Sequence, residues 1–444
     1  MESEQGMAGV QEHCEPAPSS GPGSAPPDRP VKAGSAARLS SGGNAPPGAT
    51  AITILGFCFA LALIGRGAFE SFTVFLLPIS QTFHWDRAAV VSIYALSAFC
   101  SGLASPLVGR LFDRSGPLAV YALGLFLIGF GFSVSAFASE LWQFQLCIGI
   151  AAGFGFASLG TVGHSLLLGR WFGKRLPTAM AVVYSATGAG VLTMLPLTQL
   201  LIDNFDWRGA YHILGAASLI LIAPLMLLPW RRWTVGTAHA TIAPATHAGD
   251  HWSLGRAIRH HAFWALFSTF FFTAVGVYAI SVQVVAYLVE SGFPPLQAAS
   301  AWGFSGVALV IGMLTISWLD SIIGRRRAIL LSYTMTTLGL VMLWLLQYYP
   351  SLWLLVGFLV FFGSTIGSRG PLITAAAMTI YRGKRVGTIF GSISIGSGLG
   401  AAIGSWSGGL IHDITQSYDW LIAFALISVW LGMIPFLTVR ALRD

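Results

Sequence analysis

Residues 109–116 read Gly109-Arg-Leu-Phe-Asp113-Arg114-Ser-Gly116, a short polar stretch between the apolar runs 88–108 and 117–137. Each run has the length of about 20 apolar residues that a helix needs to cross a hydrocarbon core of about 30 Å. An acid, basic residues and two glycines do not belong in lipid, so the stretch marks a water-exposed turn between two crossings. A second turn of this kind stands at Asp320-Ser-Ile-Ile-Gly324-Arg325-Arg326-Arg327, again between apolar runs. One turn used twice predicts a chain built from two related halves.

Outward from these turns, counting apolar runs between punctuating charges gives twelve. They are 51–79, 88–108, 117–137, 142–168, 177–202, 209–229, 262–288, 296–319, 328–347, 351–378, 387–410 and 420–439. Composition agrees: 55% of the 444 residues are apolar and 9% charged, against about 25% charged in a soluble domain. A soluble globular protein is excluded. The expected fold is an all-α membrane protein with twelve transmembrane helices in two pseudo-symmetric six-helix bundles, residues 50–229 and 262–440, joined by a central loop over 230–261. Residues 1–49 hold no apolar segment and are dense in Pro, Gly, Ser and Ala, so they read as a disordered tail. The halves repeat elsewhere. Gly-Lys-Arg occurs at 173–175 and 383–385, and at the same offset Gly188 and Gly190 fall on Gly398 and Gly400.

Twelve crossings put both termini on one side, and the distribution of basic residues names the side. With cytoplasmic termini, the inner segments hold 20 of the 24 Lys and Arg, and the outer loops hold only Arg87 and Arg208. The net charge of +7 is thereby explained by topology, and nucleic acid is not an expected partner. The expected setting is a multi-pass plasma (inner) membrane protein with both termini cytoplasmic. Duplicated six-helix halves are a mark of secondary transporters, which bind cargo at the interface of the repeats.

The match at Gly109, Leu111, Asp113, Arg114 and Gly116 resembles the G-x-L-x-D-R-x-G motif of the major facilitator superfamily, and the resemblance covers residues 50–440. It implies rocking of two halves about a midplane site, with Gly109, Asp113, Arg114, Gly116, Asp320, Gly324 and Arg325 as a gating motif. Pairing of these charges between helix ends would favour an outward-open state and would break as the cavity opens inward. Alternatively, the charges are plain inner-face anchors. Phe72-Thr-Val-Phe-Leu-Leu-Pro78, followed by Phe83-His-Trp85-Asp-Arg87-Ala, is similar to the monocarboxylate and oxalate/formate transporter branch, as are Arg170-Trp171-Phe172 and Asp206-Trp207-Arg208. Two positions depart from it. Glu70 stands about where eukaryotic monocarboxylate carriers place a lysine, and 296–319 lacks the Asp and Arg that such carriers keep there. The resemblance therefore implies transport of a small organic anion with protons, without naming it.

Three charges lie inside crossings: Arg66, Glu70 and Arg369. A basic residue at a helix centre costs about 2.5–3.5 kcal/mol even on the lenient insertion scale, so each is expected in a wet or paired interior. Arg66 and Glu70, four apart, share one helix face within pairing distance. Arg369 lies 13 residues before Arg382, about 20 Å along a helix, too deep to snorkel. Its planar fork of donors suits a carboxylate-like substrate, with Arg66 assisting. Glu70 is either a proton-coupling site or merely the neutraliser of Arg66. His164 is a further candidate substrate contact, or a hydrogen-bonded structural residue. Pro371 predicts a bend beside Arg369.

The remaining patterns carry no catalytic chemistry. Cys14, Cys58, Cys100 and Cys147 form no pair with metal-ligand spacing, and His239, His247, His251, His260 and His261 lack zinc spacing. No metal, cofactor or catalytic residue is expected, and no oligomer is required. Gly396, Gly398, Gly400 and Gly404 lie in an apolar run without a preceding strand, so they read as close helix packing and not a nucleotide loop. A short amphipathic helix is expected near 253–261. The alternatives kept beside anion uptake are an efflux carrier or exchanger of another metabolite or drug, and a membrane receptor that does not transport.

Overall fold

The computed structural model describes residues 48–172, 176–235, 252–381 and 386–439. Most of the expected tail, both Gly-Lys-Arg copies, and His239, His247 and His251 of the central loop lie outside the described residues. All regular structure among the described residues is helical. Nine helices there are long and apolar enough to cross a membrane, so the chain is a multi-pass membrane protein. Helix is what lipid demands of such sequence, because every backbone N–H and C=O must find its partner within the segment.

Two of the nine are too long for one crossing. The Arg87–Ser135 helix has 49 residues, about 74 Å at 1.5 Å per residue. Gly116 (φ 80°, ψ 175°) breaks it into two helical segments, and Pro117 starts the second, where its missing N–H costs no hydrogen bond. In the Leu176–Ile220 helix the break is Asp206 (φ 63°, ψ 165°), whose Oδ1 accepts from the Trp207 N–H at 2.7 Å. The expected turn is thus narrower than the polar stretch: Gly109 to Ser115 remain helical, and Gly116 alone turns the chain. Likewise Asp320 to Ile323 end one helix, Gly324 (φ 82°) turns, and Arg325–Arg327 begin the next. Polar residues at a wet helix end cost little, so the helix continues until a residue suited to positive φ stops it.

Six described residues have positive φ, and they fall into three pairs: His84 and Gly292, Gly116 and Gly324, Asp206 and Gln416. The members of each pair stand 208, 208 and 210 residues apart. Packing repeats in the same way. A Cβ on Gly190 would collide with the Leu63 carbonyl of the Ala49–Glu70 helix, and one on Gly400 with the Phe271 carbonyl of the His261–Ser281 helix. Gly396, Gly400 and Gly404 meet the Phe267, Phe271 and Val275 carbonyls in turn, the close approach that small residues permit in a membrane. Gly188 lies against the backbone of Gly306, and Gly398 against that of Gly102.

Both described ends of the central segment, 230–235 and 252–261, pack on neighbouring helices. Trp171 Nε1 donates to the Trp233 carbonyl at 2.8 Å, seating the Trp230–Val235 helix. The short Leu254–Ile258 helix is capped by Ser253, whose side chain accepts from the Arg256 N–H. Next to it, His260 Nδ1 lies 3.3 Å from the Tyr381 hydroxyl. Burial, then the neighbouring His261, holds the His260 pKa below its usual value, which favours the neutral ring.

Candidate functional site

Arg66 and Glu70 occupy the last two turns of the Ala49–Glu70 helix, which ends because Ser71 starts a new segment, Phe72–Phe83. Arg66 Nη2 lies 2.5 Å from Glu70 Oε1, the i, i+4 pairing expected from the spacing. The same nitrogen donates to the Tyr278 hydroxyl on the His261–Ser281 helix at 3.0 Å. The guanidinium also lies 5.2 Å from the Phe69 ring centroid, and Tyr94 packs on Phe69 at 4.6 Å. Of the two charged side chains, Arg66 is 34% exposed and Glu70 only 9%. The cation is therefore the more exposed member of the pair. Tyr278 and Tyr94 carry no signal in sequence, because Tyr is ordinary in apolar runs.

Arg369 is in a different setting. The backbone leaves regular helix over residues 364–368 and resumes at Arg369–Ile380. The break in regular helix thus falls just before Arg369, and Pro371 lies in the first turn of the new helix, where proline is tolerated. On the matching stretch the helix is interrupted at Leu159 and Gly160, and Leu159 is the residue that corresponds to Arg369 at the repeat offset. Arg369 is 3% exposed. Its Nη2 donates to the Ser332 carbonyl at 2.9 Å and to Thr336 Oγ1, and its guanidinium carbon stands 4.1 Å from the centre of the Tyr333 ring. All three partners lie on the Arg325–Leu346 helix. Nε and Nη1 have no hydrogen-bond partner, and no carboxylate pairs with the group among the described residues. A buried guanidinium with unspent donors and no counter-ion is costly. Interrupted helices at mid-membrane are also where transporters hold ions and substrates.

His164 is fully buried and spent. Its Nε2 lies 3.0 Å from the Leu159 carbonyl, which requires the proton on Nε2, and its Nδ1 lies 3.2 Å from the Tyr121 hydroxyl, which then donates. The ring also stacks on Tyr121. Neither nitrogen is left for a ligand, so the contacts fit the structural alternative.

The expected gating residues are not joined. Asp113 and Arg114 are exposed, and no ion pair links them, Asp320 or Arg325 to another group among the described residues. Contacts between the two halves of the sequence occur instead at Arg87, the other end of the first segment of the Arg87–Ser135 helix. Arg87 pairs with Glu290 and also reaches the Tyr418 hydroxyl, which donates to Glu290 Oε2 at 2.6 Å. Asp413 accepts from the backbone N–H of Arg87 at 3.0 Å and of Ala88 at 2.6 Å. Gly409 lets the helices approach there, since a Cβ on it would sit 2.9 Å from the Ala88 Cα. Sequence reasoning missed this cluster because its members look like ordinary loop charges on four distant elements.

Comparison with known proteins gives a consistent picture. The family model described as Major Facilitator Superfamily matches residues 55–405, with a second match over 304–444. The uncharacterized MFS-type transporter YcxA of Bacillus subtilis is 25% identical over 88% of this chain and 96% of its own length. Monocarboxylate transporter 13 of Rattus norvegicus is 26% identical, covering 83% of each chain. Monocarboxylate transporter 11 of Homo sapiens reaches 34% identity over 41% of this chain and 40% of its own.

Proposed function

The chain belongs to the Major Facilitator Superfamily, and from that premise we propose that it carries a small monocarboxylate-like organic anion by alternating access, with protons driving uptake. Its crossings number twelve, in two pseudo-symmetric six-helix bundles over 50–229 and 262–440. The breaks at Gly116 and Asp206, the interruption over 364–368 and the paired positive-φ positions support that reading. Both termini are cytoplasmic in a plasma (inner) membrane, as the distribution of Lys and Arg supports.

The observation that carries the proposal is Arg369: a guanidinium 3% exposed, with Nε and Nη1 unpartnered and no carboxylate paired with it among the described residues. A substrate carboxylate supplies the missing charge and acceptors together. Arg66, the exposed member of its pair, is the second anion contact, and Glu70 is the proton-coupling carboxylate. Pairing with Arg66 favours the ionised form of Glu70 against burial, and an anion that recruits Arg66 frees Glu70 to take a proton. The conformation is inward-open: the Arg87 end is latched, whereas Asp113, Arg114, Asp320 and Arg325 form no ion pair among the described residues at the other.

Purified protein in liposomes tests this with a panel of labelled mono- and dicarboxylates, with and without an acid-outside gradient. Saturable accumulation of a carboxylate that rises with the gradient is the expected result. Transport confined to neutral or cationic compounds, or none into sealed vesicles, overturns the reading.

A further inference from the structure

At the Arg87 end one helix terminus has an acidic residue at its own N-cap position, Asp86, and a second carboxylate, Asp413, bonded to its first N–H groups. Asp86 occupies the N-cap position of the Arg87–Ser135 helix with extended backbone (φ −58°, ψ 149°), yet its side chain makes no capping hydrogen bond. Aspartate at this position ordinarily accepts from the second or third backbone N–H of its helix, here Ala88 or Ala89. The Ala88 N–H is taken by Asp413 Oδ2 at 2.6 Å, and Asp413 Oδ1 takes the Arg87 N–H at 3.0 Å. Asp413 belongs to the Val386–Thr415 helix, more than 300 residues away in sequence. Asp86 meanwhile stays exposed to solvent.

A helix that separates from Asp413 would leave its first N–H groups without a protein partner. We propose that Asp413 and Asp86 exchange as the cap of this helix: Asp413 caps it when the outer end is latched, and Asp86 caps it when the end opens. The Arg87–Glu290–Tyr418 ion pair and hydrogen bonds add the remaining hold on the latched state. The exchange lets the outer gate open without leaving the helix end uncapped, so the cap itself favours neither state strongly. It rests on the alternating-access reading above, and it assigns Asp86 and Asp413 opposite effects on one equilibrium.

The test measures outer-end separation in the full chain reconstituted in lipid, with native cysteines replaced. Spin labels at Ser139→Cys and Tyr349→Cys, both exposed, report the distance between halves by double electron–electron resonance. Arg87→Ala provides the background, because it removes the ion pair but keeps both backbone N–H groups. In that background Asp413→Ala should raise the ratio of wide to narrow distances about fivefold, the factor a cap of ordinary strength corresponds to. Asp86→Ala should lower it about as much. Equal ratios in both variants, or shifts in the same direction, overturn the cap exchange while leaving alternating access standing. A single narrow distance in every variant, Arg87→Ala included, overturns the latch and the transport reading together.

Discussion

Arg66 and Tyr278, 212 residues apart, share a 3.0 Å hydrogen bond that ties the first membrane helix to the His261–Ser281 helix. The same Arg66 nitrogen pairs with Glu70. One guanidinium thus senses both a carboxylate on its own helix and the position of the opposite half. Any anion that draws Arg66 away alters both contacts at once.

Removing that guanidinium strands a carboxylate. Arg66→Ala should lower the melting temperature in detergent by several degrees, because breaking a fully buried pair costs about 3–5 kcal/mol, less here because 34% of the Arg66 side chain is open. The double variant Arg66→Ala/Glu70→Ala should recover most of the loss. A double variant no more stable than the single one would contradict the pairing energetics.

Glu70→Gln should uncouple transport from the proton gradient. Glu70 is 9% exposed in its side chain, and its proton affinity must rise when Arg66 leaves and fall when Arg66 returns. The Gln variant, neutral throughout, should exchange substrate down a concentration gradient yet fail to accumulate it when the outside is acid. Gradient-driven accumulation by a well-expressed Gln variant would rule out Glu70 as the essential proton site.

At the opposite end, Asp113→Asn and Asp320→Asn should shift the population further toward inward-open by removing pairings available only in the outward-open state. Substrate affinity at the site should be largely kept. Accessibility of engineered cysteines to a membrane-impermeant reagent, applied from each side, reads the shift. An unchanged pattern would reduce these residues to inner-face anchors.

Gly116→Ala places a Cβ at φ 80°, ψ 175°, an essentially glycine-only region where a side chain is strained by about 1–3 kcal/mol. No neighbour would obstruct the added carbon, since nothing lies within 4 Å of it. The expected outcome is a modest loss of thermal stability with normal insertion, and Gly324→Ala should match it. Gly190→Ala should be far worse, because its Cβ meets the Leu63 carbonyl. Equal stabilities for Gly116→Ala and Gly190→Ala would refute this ordering.

Much of the fold was legible because lipid imposes simple rules. Long apolar runs must be helical, and the helix-breaking positions were flagged by glycine at Gly116 and Gly324. Asp206 and His84 were not flagged, since positive φ at a non-glycine residue leaves little trace in sequence. Spacing alone gave the Arg66–Glu70 pair, which i, i+4 geometry dictates. It sets an expected depth for Arg369 but not the direction of its side chain, and the guanidinium docks on Ser332, Tyr333 and Thr336. The Arg87–Glu290 and Arg87–Asp413 contacts, more than 200 and 300 residues apart, depend on how the two ends of the chain close in one conformation, which local pattern does not encode.

The central claim is that Arg369 holds the anion. The direct measurement is an equilibrium titration of purified wild type, Arg369→Ala and Arg369→Lys with whichever labelled carboxylate the uptake panel selects. Saturable binding by wild type, at least about tenfold weaker in the Ala variant and only partly restored by Lys, whose point charge does not replace a fork of donors, is the predicted result. Equal affinity in wild type and Arg369→Ala, with both proteins folded and inserted, would contradict it.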